Sequence, residues 1–84
     1  MRINVKLYAM LAKYLPPGSE DHTALLDVPE GTTAHDLIVR MELPPALSTL
    51  VMVDGIHLTP KDVDHRLLQP GETVAIFPPI AGGR

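Results

Sequence analysis

The sequence ends in PGETVAIFPPIAGGR, residues 70–84, and this stretch carries the strongest indication of the fold. It begins with a proline–glycine turn and continues as an alternating apolar and polar segment, TVAIF, which is typical of a half-buried strand. Two prolines at 78–79 each fix φ at about −65° and keep the chain extended. Two glycines at 82–83 add no side chain, and Arg84 follows them. The pattern predicts a strand, a stiff spacer and a thin tip.

The beginning of the chain predicts a hairpin. RINVKLY, residues 2–8, alternates strictly, with Ile3, Val5 and Leu7 on one face, and predicts a half-buried strand. A helical segment, AMLAKYL, follows and ends at a Pro-Pro-Gly stop. A polar loop and a second apolar run, ALLDV, come next. Two early strands joined by a loop favour an antiparallel pair.

One clear helix is predicted in the middle of the chain. Thr33 and Asp36 have the spacing of a capping box, with Asp as a shorter stand-in for Glu. Four apolar residues then fall at i, i+3, i+4 and i+7, which gives one stripe: Ala34, Leu37, Ile38 and Met41. Two prolines at 44–45 prevent its continuation. The stripe predicts packing against a sheet.

The third quarter of the chain predicts another strand pair. LVMV, residues 50–53, is a continuous apolar run, and the Asp54-Gly55 pair after it is typical of a tight hairpin turn. TPKDVDHR, residues 59–66, is polar and is interpreted as a loop. One helix across one mixed sheet is an α+β architecture of two layers.

Composition limits the function. Eighty-four residues allow one domain, and the formal net charge of −3 disfavours nucleic-acid binding. The chain has no cysteine, which excludes disulfides, thiolate metal sites and thiol chemistry. No segment approaches the roughly 20 apolar residues of a membrane helix, and the first fifteen residues do not form a signal peptide. These features predict a soluble cytoplasmic protein without a nucleic-acid or membrane partner.

The chain resembles the MoaD/ThiS family of sulfur-carrier proteins. The matching segments are VKLYAMLAKYLP, VDGIHL and PGETVAIFPPIAGG, and together they span nearly the whole chain. The length and the Phe-Pro-Pro signature resemble the molybdopterin-synthase small subunit more than the shorter thiamine-pathway carriers. The resemblance implies a ubiquitin-like β-grasp fold, a mixed sheet with one main helix packed across it and with the first and last strands parallel at its centre. We expect a domain over 1–77 and a flexible C-terminal tail over 78–84.

The resemblance also implies a chemistry in which the chain is a substrate and not an enzyme. An E1-like partner would use ATP to adenylate the carboxylate of Gly83, and a sulfur donor would convert it to a thiocarboxylate. A larger, MoaE-like synthase subunit or another sulfur-accepting enzyme would then receive the sulfur. Molybdopterin or tungstopterin synthesis is the favoured pathway, and thiazole synthesis, cysteine synthesis and tRNA thiolation stay open as alternatives. No cofactor is expected on this chain, since the ATP belongs to the activating partner.

The tail has the properties that such chemistry needs. A side chain at Gly83 would crowd the reacting carbon, and Gly82 keeps the tail thin. Pro78 and Pro79 reduce the entropy lost on insertion into a partner. Ile80 and Ala81 complete the tail. Phe77, just before the prolines, is either a docking anchor for the partner or an ordinary packing residue at the sheet edge.

Arg84 departs from the family pattern, which ends at the second glycine. Because its amide blocks the carbonyl of Gly83, three interpretations stay open: proteolytic removal of Arg84, a remnant of expression, or a binding subunit that carries no sulfur. We favour removal. A ubiquitin-like protein modifier is the main alternative function, since it would begin with the same adenylate.

A metal site is not predicted. His65 lies near Asp62 and Asp64, but their spacing matches no established site, and such a segment is more often solvated.

Overall fold

The computed structural model describes residues 1–48 and 50–79. Five strands and two α-helices follow one another in the order β1 Arg2–Leu7, β2 Thr23–Asp27, α1 Ala34–Arg40, β3 Leu50–Val53, β4 Ile56–His57, α2 Pro60–His65 and β5 Thr73–Phe77. Two 3₁₀ helices, Ala9–Tyr14 and Pro45–Leu47, lie in the connections. None of the helices in this part of the chain is both long and apolar enough to cross a membrane.

The strands form one mixed sheet in the order β2-β1-β5-β3-β4. β1 is antiparallel to β2 and parallel to β5, with Leu7 paired to Ile76. β3 is antiparallel to both β5 and β4. The first and last strands therefore lie side by side at the centre, which confirms the predicted β-grasp fold. β5 ends at Phe77. The division into a domain over 1–77 and a tail over 78–84 stays a prediction.

Helix α1 covers one face of this sheet. The capping box is present: Thr33 Oγ1 accepts the N–H of Asp36 at 3.1 Å, and the Asp36 carboxylate accepts the N–H of Thr33 at 3.0 Å. Leu37 is fully buried, and Ile38 is 7% exposed. The alternating residues of the central strands meet this stripe and form an aliphatic core with it, which includes Ile3, Val5, Leu7, Val51, Val74 and Ile76. The opposite face of the sheet carries no helix among the described elements.

The segment interpreted as a polar loop is a short helix, and that prediction was wrong. Thr59 caps α2 by accepting the N–H of Asp62 at 3.2 Å, and Pro60 occupies the first turn, where its missing N–H costs nothing. Val63 is its only apolar residue within the packed region. With so little apolar periodicity, the helix depends on its cap and on its contact with α1.

An ion pair holds the turn that leads into β5. Arg66 donates two hydrogen bonds to the Glu72 carboxylate, at 2.7 and 3.1 Å, and the N–H of Gln69 donates a third at 2.7 Å. The hydrogen bond from Arg66 holds the pKa of the Glu72 carboxyl below its usual value, although partial burial acts in the opposite direction. The Glu72 carbonyl accepts the N–H of Asn4 at 2.9 Å. The entry to the central strand is thus fixed to β1.

Candidate functional site

The candidate site lies where the chain leaves the sheet after β5. Val74 and Ile76 are fully buried, so the alternation places Phe77 on the face opposite α1. Phe77 and Pro78 are half-buried, and Pro79 is exposed. The chain therefore leaves the folded body at Pro78 and Pro79, from the middle of the sheet and not from its edge.

Three rings stack beside this exit, and we call His22, Tyr8 and Phe77 the aromatic row. The Tyr8 and Phe77 rings have centroids 4.3 Å apart and planes 5° apart. The His22 ring stacks on the other side of Tyr8, at 6.1 Å and 12°. Leu50 of β3 is the antiparallel register partner of Phe77 in β5. It is 37% exposed and continues the aromatic row on the side of Phe77 away from Tyr8. The row crosses the uncovered face at the end of the sheet where the tail begins.

The register of the central strands brings these rings together. The pairing of Leu7 with Ile76 in parallel strands places the next residues, Tyr8 and Phe77, side by side. The N–H of Tyr8 donates to the Ile76 carbonyl at 3.3 Å, and the N–H of Leu7 donates to the His22 carbonyl at 3.0 Å. Backbone hydrogen bonds therefore anchor Tyr8 and His22 to neighbouring strands. Stacked rings of this kind form a firm, amphipathic surface suited to contact with another molecule.

Sequence reasoning named Phe77 but missed Tyr8 and His22. A signal for Tyr8 was present, since it continues the outward phase of β1, just as Phe77 continues that of β5. No comparable signal marks His22, which lies in a polar loop with a left-handed φ of 59°. The docking role of Phe77 stays a prediction.

The remaining predicted site residues fall beyond the exit. Ile80, Ala81, Gly82, Gly83 and Arg84 lie outside the described residues, so their roles also stay predictions.

The histidines and acids do not converge on one point in the described part of the chain. Residues 1–48 and 50–79 contain no group of three or more such side chains that could hold a metal ion. The one close approach between a histidine and a carboxylate there joins His35 Nδ1 to Asp64 Oδ1 at 3.7 Å, between two largely exposed side chains. The row at the tail exit is suited to docking, and the reactive group predicted from the sequence is the carboxylate of the tail.

A mixed five-stranded sheet with parallel terminal strands at its centre, one helix across it and a tail leaving the central strand defines a small ubiquitin-like protein. The family model described as "ThiS family" matches residues 5–83. The chain therefore belongs to the ThiS family of ubiquitin-like sulfur carriers, which are not themselves catalytic.

Two solved structures have the same fold. SAMP1 from Haloferax volcanii has a TM-score of 0.67 and 23% sequence identity over 99% of this chain and 100% of that chain. A Pyrococcus furiosus protein described as molybdopterin converting factor, subunit 1, has a TM-score of 0.63 and 21% identity over 94% of this chain and 98% of that chain. At these identities, the likeness is evidence for the fold alone. No curated protein sequence matches the chain.

Proposed function

We propose that this protein carries sulfur as a thiocarboxylate on Gly83, after removal of Arg84. The observation that carries the proposal is the extent of the family match, which covers residues 5–83 and so includes the Gly-Gly pair and stops one residue before Arg84. The exit of the chain at Pro79, from the centre of a braced sheet, supports it, because a tail on a rigid support can be inserted into a partner with little loss of entropy.

The proposed reaction has two steps on one carboxyl group. In the first, the Gly83 carboxylate attacks the α-phosphorus of ATP in an E1-like partner, which forms the acyl-adenylate and releases pyrophosphate. In the second, a sulfide-level nucleophile attacks the acyl carbon and AMP leaves, so that sulfur replaces one carboxylate oxygen. Both steps need the carboxyl group of Gly83 held against the group that reacts with it, and positioning of this kind contributes strongly to rate. Because the first step consumes ATP, we assign the reaction to the cytoplasm.

Arg84 requires a preceding hydrolysis. A peptidase would hydrolyse the Gly83–Arg84 amide, leaving the Gly83 carboxylate that the adenylating enzyme needs. The uncleaved chain carries a long cationic side chain directly after Gly83, which a site shaped for glycine would exclude.

The proposed recipient of the sulfur is a larger, MoaE-like synthase subunit in molybdopterin or tungstopterin synthesis. The structural likeness to a protein described as molybdopterin converting factor, subunit 1, supports this assignment, as does the Phe-Pro-Pro sequence at the exit. In this proposal Phe77, whose ring stacks on that of Tyr8, is the side chain that docks on the partner.

The decisive measurement is the intact mass of the protein isolated from its native cells. We expect a species that ends at Gly83 and has one oxygen replaced by sulfur. A protein that retains Arg84 without modification would contradict the proposal and would favour a binding subunit. Isopeptide adducts to lysines of other proteins, without thiocarboxylate, would instead favour the ubiquitin-like modifier.

Reconstitution provides the matched control. A chain ending at Gly83 should gain sulfur with the E1-like enzyme, ATP and a sulfur donor, whereas the chain that ends at Arg84 should not. A third chain, ending at Gly82, tests whether the second glycine itself is required.

A further inference from the structure

The outer edge of β2 has backbone groups that no neighbour in the described part of the chain occupies. Met1 and Val28 exchange two hydrogen bonds, each 2.8 Å long, across the β1–β2 pair. Since bonded and non-bonded pairs alternate in an antiparallel ladder, the inward-directed residues of β2 are Ala24 and Leu26. The N–H and C=O groups of Leu25 therefore point away from β1, as do those of Asp27.

Local structure limits this open edge at both ends. The N–H of Thr23 already donates to the Glu20 carbonyl at 2.8 Å, and Pro29 has no N–H to offer. Leu25 and Asp27 thus provide two donors and two acceptors, which is enough for one short strand. The opposite edge of the sheet, β4, has only two residues.

The surroundings of the open edge favour a particular occupant. A cleft of about 510 Å³ lies beside β2, between it and the loop of residues 16–21. Leu25 is 57% exposed on the uncovered face of the sheet. Glu20 and Asp21 lie before the strand, and Asp27 and Glu30 lie at its end and beyond it. Residues 14–39 contain no lysine or arginine, but Arg2 of β1 forms an exposed ion pair with Asp27, with 3.3 Å between Nε and Oδ1. Glu20, Asp21 and Glu30 therefore contribute most of the negative charge at this edge.

We propose that this edge accepts an extended segment of a partner protein as a sixth strand, with alternating apolar residues in its centre and lysine or arginine at both ends. The backbone of Leu25 and Asp27 would pair with the segment, Leu25 would contact an apolar side chain, and the flanking cations would meet the acidic residues. A second copy of this chain fits poorly, because it would bring its own Asp27 and Glu30 to the same edge. The proposal is independent of the sulfur chemistry, because β1 separates this edge from β5.

The test uses the full chain and two synthetic nine-residue peptides with the same core of five alternating valines and threonines. One peptide has two lysines at each end, and the other has two glutamates. We expect the lysine peptide alone to bind, with slower hydrogen exchange at the amides of Leu25 and Asp27. Its affinity should fall as salt is raised from 50 to 300 mM, because the flanking charges are exposed.

Leu25→Pro is the sharpest variant, since it removes an outward N–H without touching the ladder to β1. We expect it to weaken binding by about fivefold or more, while Leu25→Ala, which keeps the N–H, weakens it less. Unchanged exchange at Ala24 and Leu26 would show that the β1–β2 ladder of the proline variant is intact. Asp21→Asn, which preserves the backbone and leaves the Arg2–Asp27 ion pair in place, should reduce the affinity for the lysine peptide and the salt dependence of its binding.

Four results would overturn the proposal. Equal binding of the two peptides, or no binding of either, would remove the charge argument. Slower hydrogen exchange confined to β4 or to the aromatic row would show that the lysine peptide binds another surface. Concentration-dependent dimerisation that Leu25→Pro abolishes would show that the edge pairs with a second copy.

Discussion

The stack of Tyr8 on Phe77 should be measurable as a coupling energy in a double-mutant cycle. Burying a phenylalanine completely contributes about 1.5–3 kcal/mol, so a half-buried ring contributes roughly 1 kcal/mol. A stacked aromatic pair adds about 0.5–1.5 kcal/mol beyond that. We therefore expect Tyr8→Ala and Phe77→Ala each to lower the free energy of unfolding by about 2 kcal/mol, and the double variant to lower it by about 3 kcal/mol, a coupling of about 1 kcal/mol.

Urea denaturation of the four proteins gives this coupling directly. In thermal melts, each kcal/mol corresponds to a Tm change of about 4–8 °C for a domain of this size. Tyr8→Phe retains the ring and should change stability little, which makes it the matched control. Leu25→Ala, two strands from Phe77, should combine additively with Phe77→Ala.

Additive effects of the two alanine variants, within about 0.3 kcal/mol, would refute the stacking argument. Phe77 would then be free to act as an isolated anchor. A measured coupling near 1 kcal/mol would instead mean that a partner meets a preformed surface of two rings.

Three further predictions concern the Arg66–Glu72 ion pair, the cap of α1 and the tail. Glu72→Gln should lower the free energy of unfolding at pH 7 by about 1–2 kcal/mol through the loss of charged hydrogen bonds to Arg66. Because the pKa of Glu72 is lowered in the folded state, its contribution is fully present above the unfolded value of about 4.3 and is lost as the pH falls from there through the lower folded-state pKa. Urea titrations at pH 7 and pH 3 should show the gap between wild type and variant closing, and a constant gap would contradict the assignment. Thr33→Ala should cost about 1 kcal/mol, since the N–H of Asp36 loses its acceptor; thermal melts check this, and an unchanged Tm would exclude the cap as a stabilising element. In a chain that ends at residue 83, Gly83→Ala should leave the unfolding curve unchanged but prevent formation of the thiocarboxylate. The mass of a thiocarboxylate on this variant would disprove the argument that a side chain crowds the reacting carbon.

Local signals explain why much of the fold was predictable from the sequence. The strict alternation through Ile3 and Val5 specifies which face of β1 is buried, and the Thr33–Asp36 spacing marks the start of α1. The Asp54-Gly55 turn has the positive φ values that its type requires, 50° and 84°. Each of these features depends on residues that are close together in the sequence, so each can be predicted without knowing the tertiary structure.

The helix α2 was missed because it is only six residues long and has a single apolar residue, Val63, to indicate a period. Its cap at Thr59 was the one local signal. The aromatic row was missed for a different reason: Tyr8 and Phe77 are far apart in sequence, and only the parallel register shows that they touch. A shift of one residue in that register would turn one ring into the core, so residue type alone could not establish the contact.

The position of β5 has a consequence for how the protein is made. The strand that carries the tail is the third of five in the sheet, yet it is the last to leave the ribosome, and its pairing of Asn4 with Thr73 joins distant parts of the chain. Contacts of such long sequence separation form late and slowly. A nascent or truncated chain without β5 therefore lacks the middle of its own sheet. The chain leaves the sheet from β5, its central strand. A partner that binds Pro78 and Pro79 together with the sheet would therefore bind only molecules in which the central strand has folded.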